Sequence, residues 1–130
     1  MHMKSQNILA PIALGELIDK ITILQIKLQH LDGIPLENVK KELNALEITL
    51  RNTQLNIDPK LFECLKNVNQ DLWRIEDAIR DQERQNNFGE DFINLARSVY
   101  KKNDLRAAIK KEINVLYGSS FIEEKSYQIY

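Results

Sequence analysis

The sequence has few of the residues that interrupt regular structure. Its 130 residues include four glycines and three prolines. A many-stranded β-sandwich or barrel needs frequent turns, and turns are built largely from these two residue types. Their scarcity favours an all-α protein, and the length is that of a single domain over residues 1–130. Met1 and His2 are expected to be an expression remnant in front of a start at Met3.

Cysteine and histidine are also scarce, which excludes several kinds of site. Cys64 is the single cysteine, so the chain cannot form an internal disulfide. We expect Cys64 to be a small buried residue of a protein in the reducing cytoplasm. His2 and His30 are the only histidines, and they offer neither a Cys/His metal-binding spacing nor a Ser/His/Asp triad.

Long apolar runs and a dominant charge are missing as well. No run approaches the roughly twenty residues that cross a bilayer, and no signal peptide is visible, so we expect a cytoplasmic protein without membrane contact. The 18 basic and 19 acidic residues leave a net charge of −1. A basic stretch over residues 97–111 contains one aromatic residue, Tyr100, and lies beside an acidic stretch over 71–91. Nucleic-acid binding is therefore not favoured.

Apolar residues recur at three- and four-residue steps in four segments of the chain. This spacing is typical of amphipathic helices that pack in coiled coils and bundles. Asp58 and Pro59 suit the cap and first residue of a helix, and Gly33 and Gly118 suit helix ends. The sequence predicts a bundle of two antiparallel helical hairpins, a short one over residues 15–32 and 35–55 and a long one over 59–86 and 89–117.

Both ends of the chain are expected to lie against this bundle. Pro11 interrupts an apolar segment too short for a helix, so residues 3–14 are predicted to form an extended arm that packs on the body. Residues 118–130 carry enough apolar area to form a docked tail. The residues that supply this area are Phe121, Ile122, Tyr127 and Tyr130.

Two predicted helices have apolar residues on more than one side. Ile18, Ile23 and Ile26 lie outside the main stripe of the first helix, which is expected to contact neighbours on two sides. The apolar face of the fourth helix turns near Asn103; this leaves a break open, although we favour one bent helix. A second copy of the chain would cover such extra apolar surface, so we expect a homodimer.

Charged residues are expected to meet where the third and fourth helices run antiparallel. With the turn near Phe88, residues equally distant from it come level, which sets Glu76 and Asp77 beside Arg97. The same face of the fourth helix, continued, brings Asn103, Arg106 and Lys110 inward opposite the third helix, unless the fourth helix turns as its apolar pattern suggests. Polar side chains so placed need partners, because an unpaired buried charge is costly. We favour an interhelical ladder of salt bridges. The alternative is a site in which Arg97 or Arg106 binds an anion.

Carboxylates could also converge on a metal ion. Glu16 and Asp19 lie three residues apart on one helical face, and with Glu76 and Asp77 they resemble the Mg²⁺-binding acids of all-helical nucleotide pyrophosphohydrolases. The doubled acidic pattern of that family is absent, however, and acids in a first turn also stabilise the helix dipole. We therefore predict no metal site and no cofactor.

Several motifs along the chain are specific enough to mark a family. They are residues 15–24 (GELIDKITIL), 72–77 (LWRIED), 88–89 (FG), 95–100 (LARSVY), 103–104 (ND), 106–108 (RAA) and 123–127 (EEKSY). Together they resemble an uncharacterised family of short bacterial and phage proteins, domain of unknown function 6165 (DUF6165). The resemblance extends from Ile8 onward. It implies a helical domain and brings no known activity, cofactor or site.

The resemblance also implies a set of recurring charged positions, which overlaps the acids and bases reached from helix geometry. Glu123, Glu124 and Lys125 belong to this set without being part of the geometric one. A charge-rich signature can reflect a buried network that fixes helix register as well as a ligand site. The candidate ligand-binding residues are Glu16, Asp19, Lys20, Glu76, Asp77, Arg97, Asp104 and Arg106.

Two functions of different classes follow from these patterns. We favour a non-catalytic helical interaction or scaffold module, a homodimer with an unknown protein partner, whose charged interhelical network fixes helix register. The alternative is a small-molecule or anion-binding protein, or an Mg²⁺-dependent enzyme acting on nucleotides or sugar phosphates, that uses the same charges. The sequence leaves open whether the protein is an enzyme.

Overall fold

The structure, a computed structural model, describes residues 6–126 and consists of four helices. They are α1 (Leu14–Leu28), α2 (Gly33–Asn52), α3 (Pro59–Arg84) and α4 (Glu90–Leu116). No strand occurs between residues 6 and 126. The all-α prediction is confirmed. None of these helices has the length and apolarity needed to cross a membrane, as far as the described residues go.

The first three helices end earlier than their apolar stripes predict. Gln54 and Asn86 have positive φ angles of 59° and 53°, which an α-helix cannot contain, so α2 and α3 stop before them. Gly33, with φ of 62°, begins α2 after α1 has already ended at Leu28. Gly118, with φ of 68°, follows the end of α4 as predicted. The break left open at Asn103 is absent, because α4 continues through it.

Helix α1 lies at the centre of the molecule and packs on α2, α3 and α4, whereas α2 packs on α1 alone among these four helices. The α1–α2 interface contains residues of both predicted stripes. Its buried members are Leu17, Ile21, Leu24, Val39 and Leu43. Half-buried leucines of the same stripes and Phe62 of α3 extend it. Burial of such side chains supplies most of the free energy that holds helices together.

A second apolar cluster forms on the other side of α1. Ile18, which is fully buried, packs there against residues of α3 and α4. The buried members contributed by these two helices are Leu65, Val68, Ile109 and Ile113. The expectation that α1 contacts neighbours on two sides is therefore correct, and its second set of neighbours lies within the monomer.

Polar contacts show that α3 and α4 run in opposite directions. The Tyr117 hydroxyl, just after α4, accepts a 2.7 Å hydrogen bond from the amide of Asp58, just before α3. It donates a 3.1 Å hydrogen bond to the carbonyl of Asn56. Midway along the pair, Lys102 Nζ lies 3.1 Å from Asp71 Oδ2. The start of α3 is thus tied to the end of α4.

Three expectations about the periphery need correction. The arm does not pack on the body through its apolar side chains, because Ile8 and Leu9 are 94% and 93% exposed. The tail lies against α4 through ion pairs, described below, and leaves Phe121 half exposed. Tyr127 and Tyr130, expected to help dock it, lie outside the described residues. Cys64 is exposed, since it lies about 100° around α3 from the buried Leu65.

Candidate functional site

The carboxylate of Asp19 is the centre of a polar cluster between α1, α3 and α4. Asp19 is 1% exposed. Arg106 of α4 donates from Nε to Asp19 Oδ1 at 2.8 Å and from Nη2 to Asp19 Oδ2. Such a two-pronged contact between guanidinium and carboxylate is both strong and directional. The ion pair joins residues 87 positions apart in the chain.

The third helix contributes an amide to the same carboxylate. Asn69 Nδ2 donates to Asp19 Oδ1 at 3.0 Å and to Thr22 Oγ1 at 2.8 Å. Thr22 Oγ1 in turn donates to the backbone carbonyl of Asp19 at 2.8 Å. Thr22 and Asn69 are both buried. Their hydrogen bonds remove the penalty that an unpaired buried polar group would carry.

A second cation lies one turn further along α4. Lys110 Nζ is 2.6 Å from Glu16 Oε2 and 4.0 Å from Asp19 Oδ2, both on α1. It is also 3.5 Å from Glu123 Oε2 in the tail. The Lys110 side chain is 11% exposed. Two cations of α4 therefore face two acids of α1, and the tail supplies a third acid from outside.

Helices α1 and α4 approach each other closely at Gly15. Its amide donates to Asn114 Oδ1 at 2.7 Å, which caps an otherwise unpaired donor in the first turn of α1. A Cβ at this position would lie 2.6 Å from the carbonyl oxygen of Lys110 and 2.9 Å from Asn114 Oδ1. Only glycine fits here, and the short approach lets the charged side chains meet across the interface.

Hydrogen bonding keeps the buried pair charged. Burial alone would raise the pKa of Asp19, but hydrogen bonds from Arg106 and Asn69 outweigh it and hold the pKa below its usual value. The hydrogen bond to Asp19 raises the pKa of Arg106 against the opposing effect of burial. Both groups are therefore ionised at neutral pH.

The polar residues of α4 form a stripe on the side of the helix that meets α1. Arg106, Lys110 and Asn114 bond to α1, and Asn103 accepts a hydrogen bond from Arg106 Nη1. The sequence predicted that Asn103, Arg106 and Lys110 point inward opposite α3, whereas the structure turns this face toward α1. Asn114 was not predicted, although it continues the same helical spacing. Asn69, between Val68 and Leu72, had no such signal.

The structure gathers half of the predicted ligand-binding residues at this cluster or its edge. Glu16, Asp19 and Arg106 belong to it directly. Asp104 lies two residues before Arg106 on a different side of α4, where Lys125 of the tail approaches it to 3.6 Å. Two of these four residues belong to α1 and two to α4.

The remaining predicted residues lie elsewhere. Glu76 pairs with Arg80 of its own helix at 3.3 Å, and Lys20 is exposed on the far side of α1, beside Glu42. Asp77 and Arg97 are both exposed. No ion pair joins these last two in the described part of the chain, so the pairing predicted between them is wrong.

The prediction was wrong about which way each helix is rotated about its own axis, not about which residues lie level along the pair. Asp71 and Lys102 do meet, and they are close to equidistant from the turn between α3 and α4, as the prediction required. Asp77 lies about 120° around α3 from Asp71, and Arg97 about 140° around α4 from Lys102. Each therefore points away from the line where the two helices touch, although the two residues are level.

The acids considered for Mg²⁺ do not converge either. Glu16 and Asp19 face the cations of α4 inside the interface, whereas Glu76 and Asp77 line a surface groove that reaches Arg106 from the side of α3. Between residues 6 and 126, no group of three or more His, Cys, Asp or Glu side chains is arranged to hold a metal ion.

Three surface grooves adjoin the cluster. One of about 340 Å³ lies along α4 and contains Arg106, Lys110 and Glu123. A second of about 470 Å³ lies between the arm and the tail and shares Lys110 and Glu123 with the first. A third of about 460 Å³ contains Arg106 with Trp73 and the acids of α3. Asp19 lines none of the three, so its carboxylate faces only protein.

Comparison with known proteins gives a family and nothing further. The model of a family of unknown function, DUF6165, matches residues 8–130. This match confirms the resemblance drawn from the sequence motifs. No curated protein matches the chain, and no solved structure does. The function has to be argued from the geometry of the cluster.

Proposed function

The chain belongs to DUF6165, a family of unknown function, and we propose that it is a non-catalytic interaction module whose buried charges fix the arrangement of its helices. The observation that carries this proposal is the environment of Asp19. Its carboxylate is 1% exposed and is bound by Arg106, Asn69 and, at longer range, Lys110.

A network of this kind acts as a register device. Asp19 accepts hydrogen bonds from α3 and α4 at once. Sliding α3 by one turn would remove the Asn69 amide, and sliding α4 by one turn would remove the two-pronged contact with Arg106. Breaking a buried ion pair costs about 3–5 kcal/mol. Apolar side chains of similar size are far more tolerant of such shifts. The cluster therefore selects one packing of three helices, which is useful for a module that presents a defined surface to a partner.

The alternative, a small-molecule or anion-binding site or an enzyme, is less favoured. Its candidate residues do not share one cavity: Lys20 and Arg97 lie away from the cluster. Asp19, which would be its central acid, faces no groove. Arg106 already donates from Nε and Nη2 to Asp19, so these two groups do not face a ligand. A catalytic or anion-binding role would require some of these groups to be turned toward a ligand.

A thermal-shift panel tests the proposal. The purified full chain is heated with Mg²⁺, Mn²⁺, nucleotides, sugar phosphates and inorganic phosphate, each at millimolar concentration. A ligand that binds the folded state raises the melting temperature, whereas a register device has no such ligand. We expect no shift from any compound. A saturable, concentration-dependent rise with one compound of the panel would overturn the proposal.

The finer expectations from the sequence are part of the same proposal. We propose that the protein is cytoplasmic and forms a homodimer. The dimer is supported by large apolar side chains that stay exposed in the monomer, among them Ile34 at 77% and Val115 at 63%. Pairing would cover such side chains. Light scattering at micromolar concentration should give about twice the chain mass of 15.2 kDa. A clean monomer mass would refute the dimer.

A further inference from the structure

The chain after α4 folds back along that helix. Gly118 turns it, and residues 119–126, here called the strap, then run in the direction opposite to α4. Glu123 Oε2 lies 3.5 Å from Lys110 Nζ, and Lys125 Nζ lies 3.6 Å from Asp104 Oδ1. Between them, Glu124 approaches Lys111 at 3.9 Å. The strap therefore places Glu123 and Glu124 opposite Lys110 and Lys111, and Lys125 opposite Asp104.

The strap is held weakly for a segment with this much charge complementarity. Phe121 and Ile122 remain 51% and 39% exposed, so much of their apolar surface still faces water. The side chains of Glu123 and Glu124 are 56% and 77% exposed. Ion pairs at such exposure contribute little, because water and salt screen them and the long side chains lose freedom. The strap is therefore among the parts of the fold that open at low cost.

The surface beneath the strap is more firmly built than the strap itself. Lys110 is held from the inside by Glu16 at 2.6 Å and Asp19 at 4.0 Å, both fixed on α1. Its outer partner is Glu123, at 3.5 Å. Glu123 is thus the one carboxylate around Lys110 that can leave without disturbing the buried pair of Asp19 and Arg106. The two grooves of about 340 and 470 Å³ meet at this outer contact, since both contain Lys110 and Glu123.

We propose that this surface is a docking site for an acidic peptide segment of a partner protein, and that the strap occupies it in cis. The inference rests on the interaction module proposed above and names its partner's chemistry. The charges of the surface indicate which peptide would bind. Two consecutive acidic residues would pair with Lys110 and Lys111, and a basic residue after them would pair with Asp104. Apolar residues before the acids would enter the groove that Pro11 and Ile12 line.

Competition between the strap and a partner then controls binding. A tethered segment acts at an effective concentration in the millimolar range, so it masks the site from any peptide of equal affinity. A partner segment that buries its apolar side chains better than Phe121 and Ile122 displaces it. Weakening the strap at Glu123 should therefore unmask the site for a peptide added in trans.

The test uses a fluorescein-labelled synthetic peptide with the strap's own sequence, SSFIEEKS, and fluorescence anisotropy with the full chain. Three proteins are compared: the wild type, Glu123→Gln and the control Glu63→Gln, which removes an exposed acid of α3 outside the strap. Both substitutions change the net charge equally, but only Glu123 contacts Lys110. We expect Glu123→Gln to bind the peptide at least about 3-fold more tightly than the wild type, through reduced competition in cis. Glu63→Gln should stay within about 2-fold.

A second peptide, with both glutamates replaced by glutamine, controls for apolar association and is expected not to compete. In the Glu123→Gln background, Lys110→Met should abolish binding, with circular dichroism to show that the chain is folded. If that variant does not fold, the glutamine peptide still decides the role of charge. No binding to Glu123→Gln at millimolar peptide, equal gains in both variants, or competition by the glutamine peptide would each overturn the docking site.

The two proposals fail in distinguishable ways. If the acidic peptide does not bind while the thermal-shift panel stays negative, the docking site is wrong and the structural module stands. If a metal ion, nucleotide or phosphate compound of the panel stabilises the chain, the module proposal itself is wrong, whatever the peptide does.

Discussion

Removing the guanidinium of Arg106 is the most direct perturbation of the buried cluster. The substitution Arg106→Met keeps a long apolar stem but deletes both donors to Asp19. Asp19, at 1% exposure, is then left with Asn69 and the distant Lys110. Its carboxylate must stay buried with weaker pairing, take up a proton, or pull α1 away from α4. Each of these outcomes lowers the free energy of unfolding.

The size of the loss can be estimated from the surroundings of the pair. Removing one partner of a fully buried ion pair costs about 3–5 kcal/mol. Two features of this site reduce the cost. The Arg106 side chain is 28% exposed, so water can reach part of the space that it leaves, and Lys110 Nζ remains 4.0 Å from Asp19 Oδ2. We therefore expect a loss at the lower end, about 3 kcal/mol.

Urea unfolding followed by far-UV circular dichroism at pH 7 measures this loss. The matched control is Arg97→Met, which removes the same side chain from an exposed position of the same helix and should change the free energy by less than about 0.5 kcal/mol. Adding Asp19→Asn to Arg106→Met should recover part of the stability, because a neutral amide leaves no buried charge unpaired. If Arg106→Met loses no more than Arg97→Met, the cluster does not hold the helices together and the reasoning is refuted.

Two further predictions follow from the same interface. Gly15→Ala should lower the free energy of unfolding by about 1–3 kcal/mol in the urea assay, because its Cβ would lie 2.6 Å from the Lys110 carbonyl; an unfolding free energy equal to that of the wild type would contradict the close approach. Since the pKa of Asp19 is lowered in the folded state, its contribution is full above its unfolded pKa of about 3.9 and is lost as the pH falls through the folded pKa. The stability difference between wild type and Asp19→Asn should therefore be constant from about pH 7 to 5 and shrink below about pH 4; a difference that widens at pH 3 would have the wrong sign.

The helices themselves could be predicted because their signals are local. Apolar residues at steps of three and four mark a helix and its buried face whatever lies opposite. Asp58 and Pro59 start α3, and Gly118 follows the end of α4, because capping and positive φ are properties of a few adjacent residues. The extra isoleucines of α1 likewise predicted a helix with neighbours on two sides, which its central place confirms.

The candidate site could be predicted only in part, because it depends on how helices are turned toward each other. The distance from a shared turn sets which residues are level, as Asp71 and Lys102 show, but not which of them face the contact line. That is why Asp77 and Arg97 were paired wrongly. The pairing of Asp19 with Arg106 has even less local basis, since 87 positions separate them. Asn69 and Asn114 were missed for the same reason.

By itself, then, the sequence determined what short-range physics determines: the helical class, the number of helices, roughly where each helix begins, and which residues are apolar enough to be buried. Only the tertiary structure decided that α1 lies at the centre, that Gly15 lets α4 come close, and that Asp19 meets Arg106 and Asn69 out of water. The physical reason is that helix formation depends on neighbours along the chain. The position of a buried charge depends on which distant cation can reach it, and only packing brings that cation near.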